Sequence, residues 1–169
     1  MSKTKRSPYK PEQRETTLEA AVADALSEIE SLRDEMQEMD DNMSGANMEH
    51  LPKYEVVSTA LQELEEHCDQ SIDVPEWAQA LSVKYMEMVN RRRGRGPSRD
   101  VRLGNATAML GAAIEAIDAE IERREKLEDD DLPEGEAQVN SDRKTDMEEL
   151  RAELDEHADF SVEFPGMYG

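Results

Sequence analysis

Seven apolar residues climb the first third of the chain in alternating steps of three and four: Val22, Ala25, Ile29, Leu32, Met36, Met39 and Met43. A repeat averaging about 3.5 residues keeps one narrow stripe against a neighbouring helix, and neither Pro nor Gly interrupts it. The ladder predicts a long helix over about 12–43 that must bury this stripe. A second ladder, Tyr54, Val57, Leu61, Leu64 and Cys68, has the same rhythm and predicts a helix over 53–70. The connection between them is short and polar, with Gly45 as a helix stop, so the two should fold back on each other as an antiparallel hairpin.

Further along, Pro75 starts a stretch with Trp77, Leu81, Tyr85 and Met88 at helical spacing, read as a helix over 75–90. An arginine- and glycine-rich break follows. Ser98 then opens a helix over 98–127 whose stripe is Leu103, Ala106, Leu110, Ala113 and Ile117, among small residues that permit close helix approach. These helices make one domain over 12–127. Before it, residues 1–11 carry Lys3, Lys5, Arg6 and Lys10 with Pro8 and Pro11, and read as a basic disordered arm. After it, 128–144 is acidic, is broken by Pro133 and Gly135, and reads as a linker; 145–169 reads as a short helix plus a disordered aromatic tail. The expected fold class is all-α: an elongated helical hairpin or coiled-coil bundle.

Charge and composition exclude several functions. Asp and Glu outnumber Lys and Arg by 41 to 20, a formal charge of −21 that repels bare phosphate backbones and anionic lipid. Aromatics are 4% and mean hydropathy is −0.85, so the core should be thin. A single cysteine, Cys68, precludes an intramolecular disulfide. No run of about 18 apolar residues and no signal-like segment is found, so the expectation is a cytoplasmic protein without a membrane span.

No constellation reaches a catalytic or metal-binding signature. Asp40–Gly45 matches the first half of a calcium loop, but Leu51 stands where its closing Glu belongs. His50, His67 and His157 are far apart, and Cys68 lies on an apolar stripe, so neither a metal, a cofactor nor an enzyme is expected. Two features favour binding instead. Six arginines, Arg91, Arg92, Arg93, Arg95, Arg99 and Arg102, crowd twelve positions against Asp100 alone; such a cluster can grip phosphates, or dock onto the chain's own acidic helices or those of a second copy. Phe160, Phe164 and Tyr168 put three of the seven aromatic residues into the last ten positions, either folded back or seated in a partner's groove.

Ser7-Pro8-Tyr9-Lys10-Pro11, Arg33-Asp34-Glu35-Met36-Gln37-Glu38 with Asp41-Asn42-Met43, and Lys53-Tyr54-Glu55-Val56-Val57-Ser58 together resemble small proteins of unassigned function encoded by tailed bacteriophages. The resemblance spans about the first 65 residues. It implies a bacterial-cell setting and supplies no catalytic or binding residue.

The functional expectation is a non-enzymatic interaction or assembly protein. It would bind a protein partner through its helical seams, through Arg91, Arg92, Arg93 and Arg95, and through Phe160, Phe164 and Tyr168. A homo-oligomer is one form of this, and nucleic acid is the less favoured partner. The alternative is an acidic DNA mimic that inhibits a host nucleic-acid-binding protein.

Overall fold

The structure is a computed structural model that describes residues 7–68, 71–127 and 131–166. Along the chain come β1 (Tyr9–Thr17), α1 (Leu18–Gly45), α2 (Pro52–Glu65), a 3-10 turn (Glu76–Ala78), β2 (Ser82–Asn90), α3 (Arg99–Glu125) and α4 (Glu134–Ala158). Thr17 starts α1 by accepting the Ala20 N–H on its hydroxyl at 3.2 Å, which satisfies one of the free donors of the first turn. The stripe of α1 is dry: Val22, Ala25, Ile29, Leu32 and Met36 are all buried. They pack against α2 and α3, and α3 packs in turn on α4, so the long ladder is closed by the chain's own helices. At about 25 cal/mol per Å² of apolar surface removed from water, burial of this seam stabilises the fold.

The fold is not all-α. β1 and β2 form a two-stranded antiparallel sheet whose register runs from Tyr9 opposite Asn90 to Thr17 opposite Ser82. β1 replaces both the end of the expected disordered arm and the first turns of a helix from Glu12; residues 1–6 lie outside the described residues. β2 replaces most of the helix expected over 75–90. Its period-two set Val83, Tyr85, Glu87 and Val89 competes with the helical set Trp77, Leu81, Tyr85 and Met88, and the β-branched and aromatic members decide for a strand with Val83 fully buried. At Met88, α3 caps the outer edge of β2. Asn105 accepts the Met88 N–H on Oδ1 at 2.8 Å and donates from Nδ2 to the Met88 carbonyl at 3.1 Å, as a neighbouring strand would.

The acidic linker expected over 128–144 gives way from Glu134, where α4 begins, and residues 128–130 lie outside the described residues. Pro133 sits at the N-cap, where its missing N–H costs nothing, and its carbonyl accepts the Glu136 N–H at 2.8 Å. Asn140 takes a seam position on this helix and is buried against Arg124, donating to its carbonyl at 3.2 Å and accepting from its guanidinium at 3.1 Å. Arg124 also pairs with Glu120 at 2.8 Å and stacks over Trp77 at 4.6 Å, tying α3, α4 and the 3-10 turn together.

Nor is the end of the chain loose as far as Gly166. Val162 and Pro165 are buried, and Phe160 stacks on His67 with ring centroids 3.8 Å apart and planes at 22°. At the other end of the α1–α2 connection, the helix runs through Gly45, and the left-handed residue is Asn47 at φ 54°. Asp40–Gly45 is therefore helical, with no loop for a cation to occupy.

Candidate functional site

Where β2 ends, the chain makes an exposed turn through the arginine cluster and enters α3. Gly94 takes φ 77° in this turn, a left-handed conformation that favours glycine. The turn is fastened to β1 on both sides. Arg91 donates its N–H to the Pro8 carbonyl at 2.8 Å, and its Nε reaches the carbonyls of Ser7 and Tyr9, each at 3.2 Å. On the far side, the Ser98 N–H donates to the Tyr9 phenol oxygen at 3.0 Å. Hydrogen bonds from Ser98 pull the Tyr9 hydroxyl below its ordinary pKa, and the charge of Arg95 adds to the effect. Between these fastenings lies a groove of about 750 Å³ walled by Pro8, Tyr9, Arg91, Arg92, Arg95 and Pro97.

The basic run splits in two at Ser98. Arg99 and Arg102 sit one helical turn apart on α3 and face α1. Arg99 bonds Glu35 at 2.8 Å, and Arg102 bonds Glu28 and Glu35 and reaches the Ser31 hydroxyl at 3.1 Å. Burial pushes the Glu35 carboxyl up, but the hydrogen bonds from Arg102 and Arg99 outweigh it and hold the group below the usual carboxylate range. Arg91, Arg92, Arg93 and Arg95 are all exposed, and among the described residues none of them forms an ion pair. The structure thus brings Arg91, Arg92 and Arg95 to one groove, with Arg93 beside them in the turn.

The aromatic set is distributed differently. Phe160 and Phe164 are half-buried against the chain's own core. Phe164 also forms one wall of an apolar groove of about 680 Å³, together with Met39, Met43, Met48, Leu51 and Val56. Tyr168 lies outside the described residues. The acidic face of α1 is partly consumed as well: besides Glu28 and Glu35, Glu30 and Asp34 are bonded by Arg33 at 3.2 and 2.7 Å.

Sequence reasoning missed Tyr9 as the strut of the arginine turn and Asn105 as the cap of β2. Neither carries a local signal, because each acts on a segment remote in sequence. His67 and His157, distant in sequence, meet edge-on with ring centroids 5.5 Å apart, and His157 is 1% exposed, with no hydrogen bond to either ring nitrogen among the described residues. Burial, above all, pushes the pKa of both below the ordinary histidine value. Among the described residues no cluster of three or more His, Cys, Asp or Glu is placed to hold a metal ion, and no helix is long and apolar enough to cross a membrane. No protein-family model matches the chain, and no similar curated protein or solved structure was found.

Proposed function

We propose that the protein is a non-enzymatic interaction protein that docks an acidic segment of a protein partner on the turn formed by Arg91, Arg92, Arg93 and Arg95. One observation carries the reading: in a chain of 41 acids, these four arginines are exposed and, among the described residues, pair with no carboxylate, while Arg99 and Arg102 of the same run are neutralised within the fold. An external carboxylate gains charge-assisted, two-pronged hydrogen bonds at Arg92, Arg93 and Arg95 without first displacing an internal carboxylate, while Arg91 also holds the Ser7 and Tyr9 carbonyls. A nucleic acid is less well served. The groove has one aromatic ring, Tyr9, so it offers little for the stacking of bases.

The test is fluorescence anisotropy of the full chain with a labelled Asp/Glu-rich peptide and, in parallel, a single-stranded oligonucleotide of equal length. The peptide should bind, weaken as salt rises, and lose at least about tenfold in affinity when Arg92, Arg93 and Arg95 become Gln. Tighter binding of the oligonucleotide with a steep salt slope, or no peptide binding at all, overturns the reading.

A further inference from the structure

The two edges of the sheet differ at one position: β2 is capped at Met88 by Asn105, while among the described residues β1 carries no cap. The β1–β2 ladder is fixed at its ends by Arg91 N–H to Pro8 O at 2.8 Å and Leu18 N–H to Leu81 O at 2.7 Å, so the even-numbered residues of β1 bond inward to β2. The same alternation turns the Met88 N–H and carbonyl outward, where Asn105 receives both. On β1 it turns the backbone groups of Pro11, Gln13 and Glu15 outward. These three residues are exposed, and among the described residues their outward backbone groups have no partner.

We propose that this edge of β1 pairs antiparallel with β1 of a second copy, about a two-fold axis through Gln13, to give a four-stranded sheet. The side chains select this register. With Gln13 opposite its own copy, Glu12 faces Arg14 of the second copy and Arg14 faces Glu12, and Lys10 faces Thr16, so no like charges meet. A slip of two residues in one direction sets Glu12 against Glu12. In the other direction it sets Arg14 against Arg14. Each neighbouring register is thus penalised by repulsion, while the centred one is self-complementary. Gln13 and its copy exchange two backbone hydrogen bonds, and each Glu15 N–H meets a Pro11 carbonyl. Pro11, which has no N–H to offer, costs this register only the two donors facing the Glu15 carbonyls. The second copy is the occupant because the charge pattern that would repel a strand of like sequence in other registers attracts it in this one.

Light scattering or sedimentation equilibrium of the full chain at about 100 μM should return twice the monomer mass of 19.2 kDa. Gln13→Pro should return the monomer mass with unchanged far-UV circular dichroism, since the N–H it removes points away from β2. Arg14→Glu should weaken association at least about tenfold by opposing Glu12, and the exchange Glu12→Arg with Arg14→Glu should restore it. The exchange also decides the matter if Gln13→Pro fails to fold. A parent chain that is monomeric at this concentration, a dimer that survives Gln13→Pro, or an exchange that does not restore pairing overturns the proposal.

Discussion

Arg91–Arg95 and Arg99–Arg102 belong to one basic run, yet they do opposite things. Arg99 and Arg102 stand on the first turn of α3, three residues apart, so both project from one helical face onto Glu28 and Glu35, themselves two turns apart on α1. Two rigid helices hold charge against charge. The preceding arginines lie in the exposed turn before α3, and among the described residues none of them pairs with a carboxylate. Arg91 is intermediate, with its guanidinium on the carbonyls of Ser7 and Tyr9. What separates structural arginines from available ones is the element that carries them.

The comparison breaks most sharply at the best-buried arginine. Arg124→Ala should leave the Glu120 carboxylate, 7% exposed, with Arg123 as its remaining partner, and should empty the site beside Asn140 and Trp77. A loss of about 3 kcal/mol in denaturant unfolding is expected, because half of a buried ion pair is removed. A smaller loss, about 1–2 kcal/mol by the same measurement, is expected for Arg102→Ala, whose side chain is 22% exposed and bonds Glu28, Glu35 and Ser31.

A smaller effect again, visible only on acidification, should come from a pair that must remain uncharged. His67 and His157 have folded-state pKa values below the ordinary histidine value. As pH falls through about 6.5 the unfolded chain takes up these protons before the folded one, so stability is full above that pH and declines below it. Glu153, Glu156 and Glu66 oppose the decline, but burial dominates. Thermal unfolding at pH 7 and pH 5.5 should show a lower Tm in acid, and His157→Leu should reduce the difference. Glu35 and Glu120, whose carboxyls are held below their usual range, lose their contribution only at lower pH and do not confuse this window.

The helical seam was legible because apolar residues repeat every three or four positions and the burying partner is near in sequence. The strands were not. β1 has no aliphatic residue between Tyr9 and Thr17, so it carries no period-two apolar signal, and its partner lies beyond residues 18–81. β2 satisfied two periods at once. The start of α4 is hidden because Asn140 fills a seam position with a polar side chain, and because Pro133, which reads as a breaker, caps the helix. At the site, the arginine cluster itself was plain in the sequence. Its division at Ser98 was not, since it depends on how α3 faces Glu28 and Glu35.

That division is the central claim, and paired thermal unfolding tests it most directly. Arg92→Gln, Arg93→Gln and Arg95→Gln together should leave stability within about 0.5 kcal/mol of the parent, while Arg99→Gln with Arg102→Gln should lower it clearly, because only the second pair removes bonds within the fold. Arg91 is kept in both variants, since it holds β1. An equal loss of Tm in the two variants would show that the turn's arginines are structural, and would contradict the account.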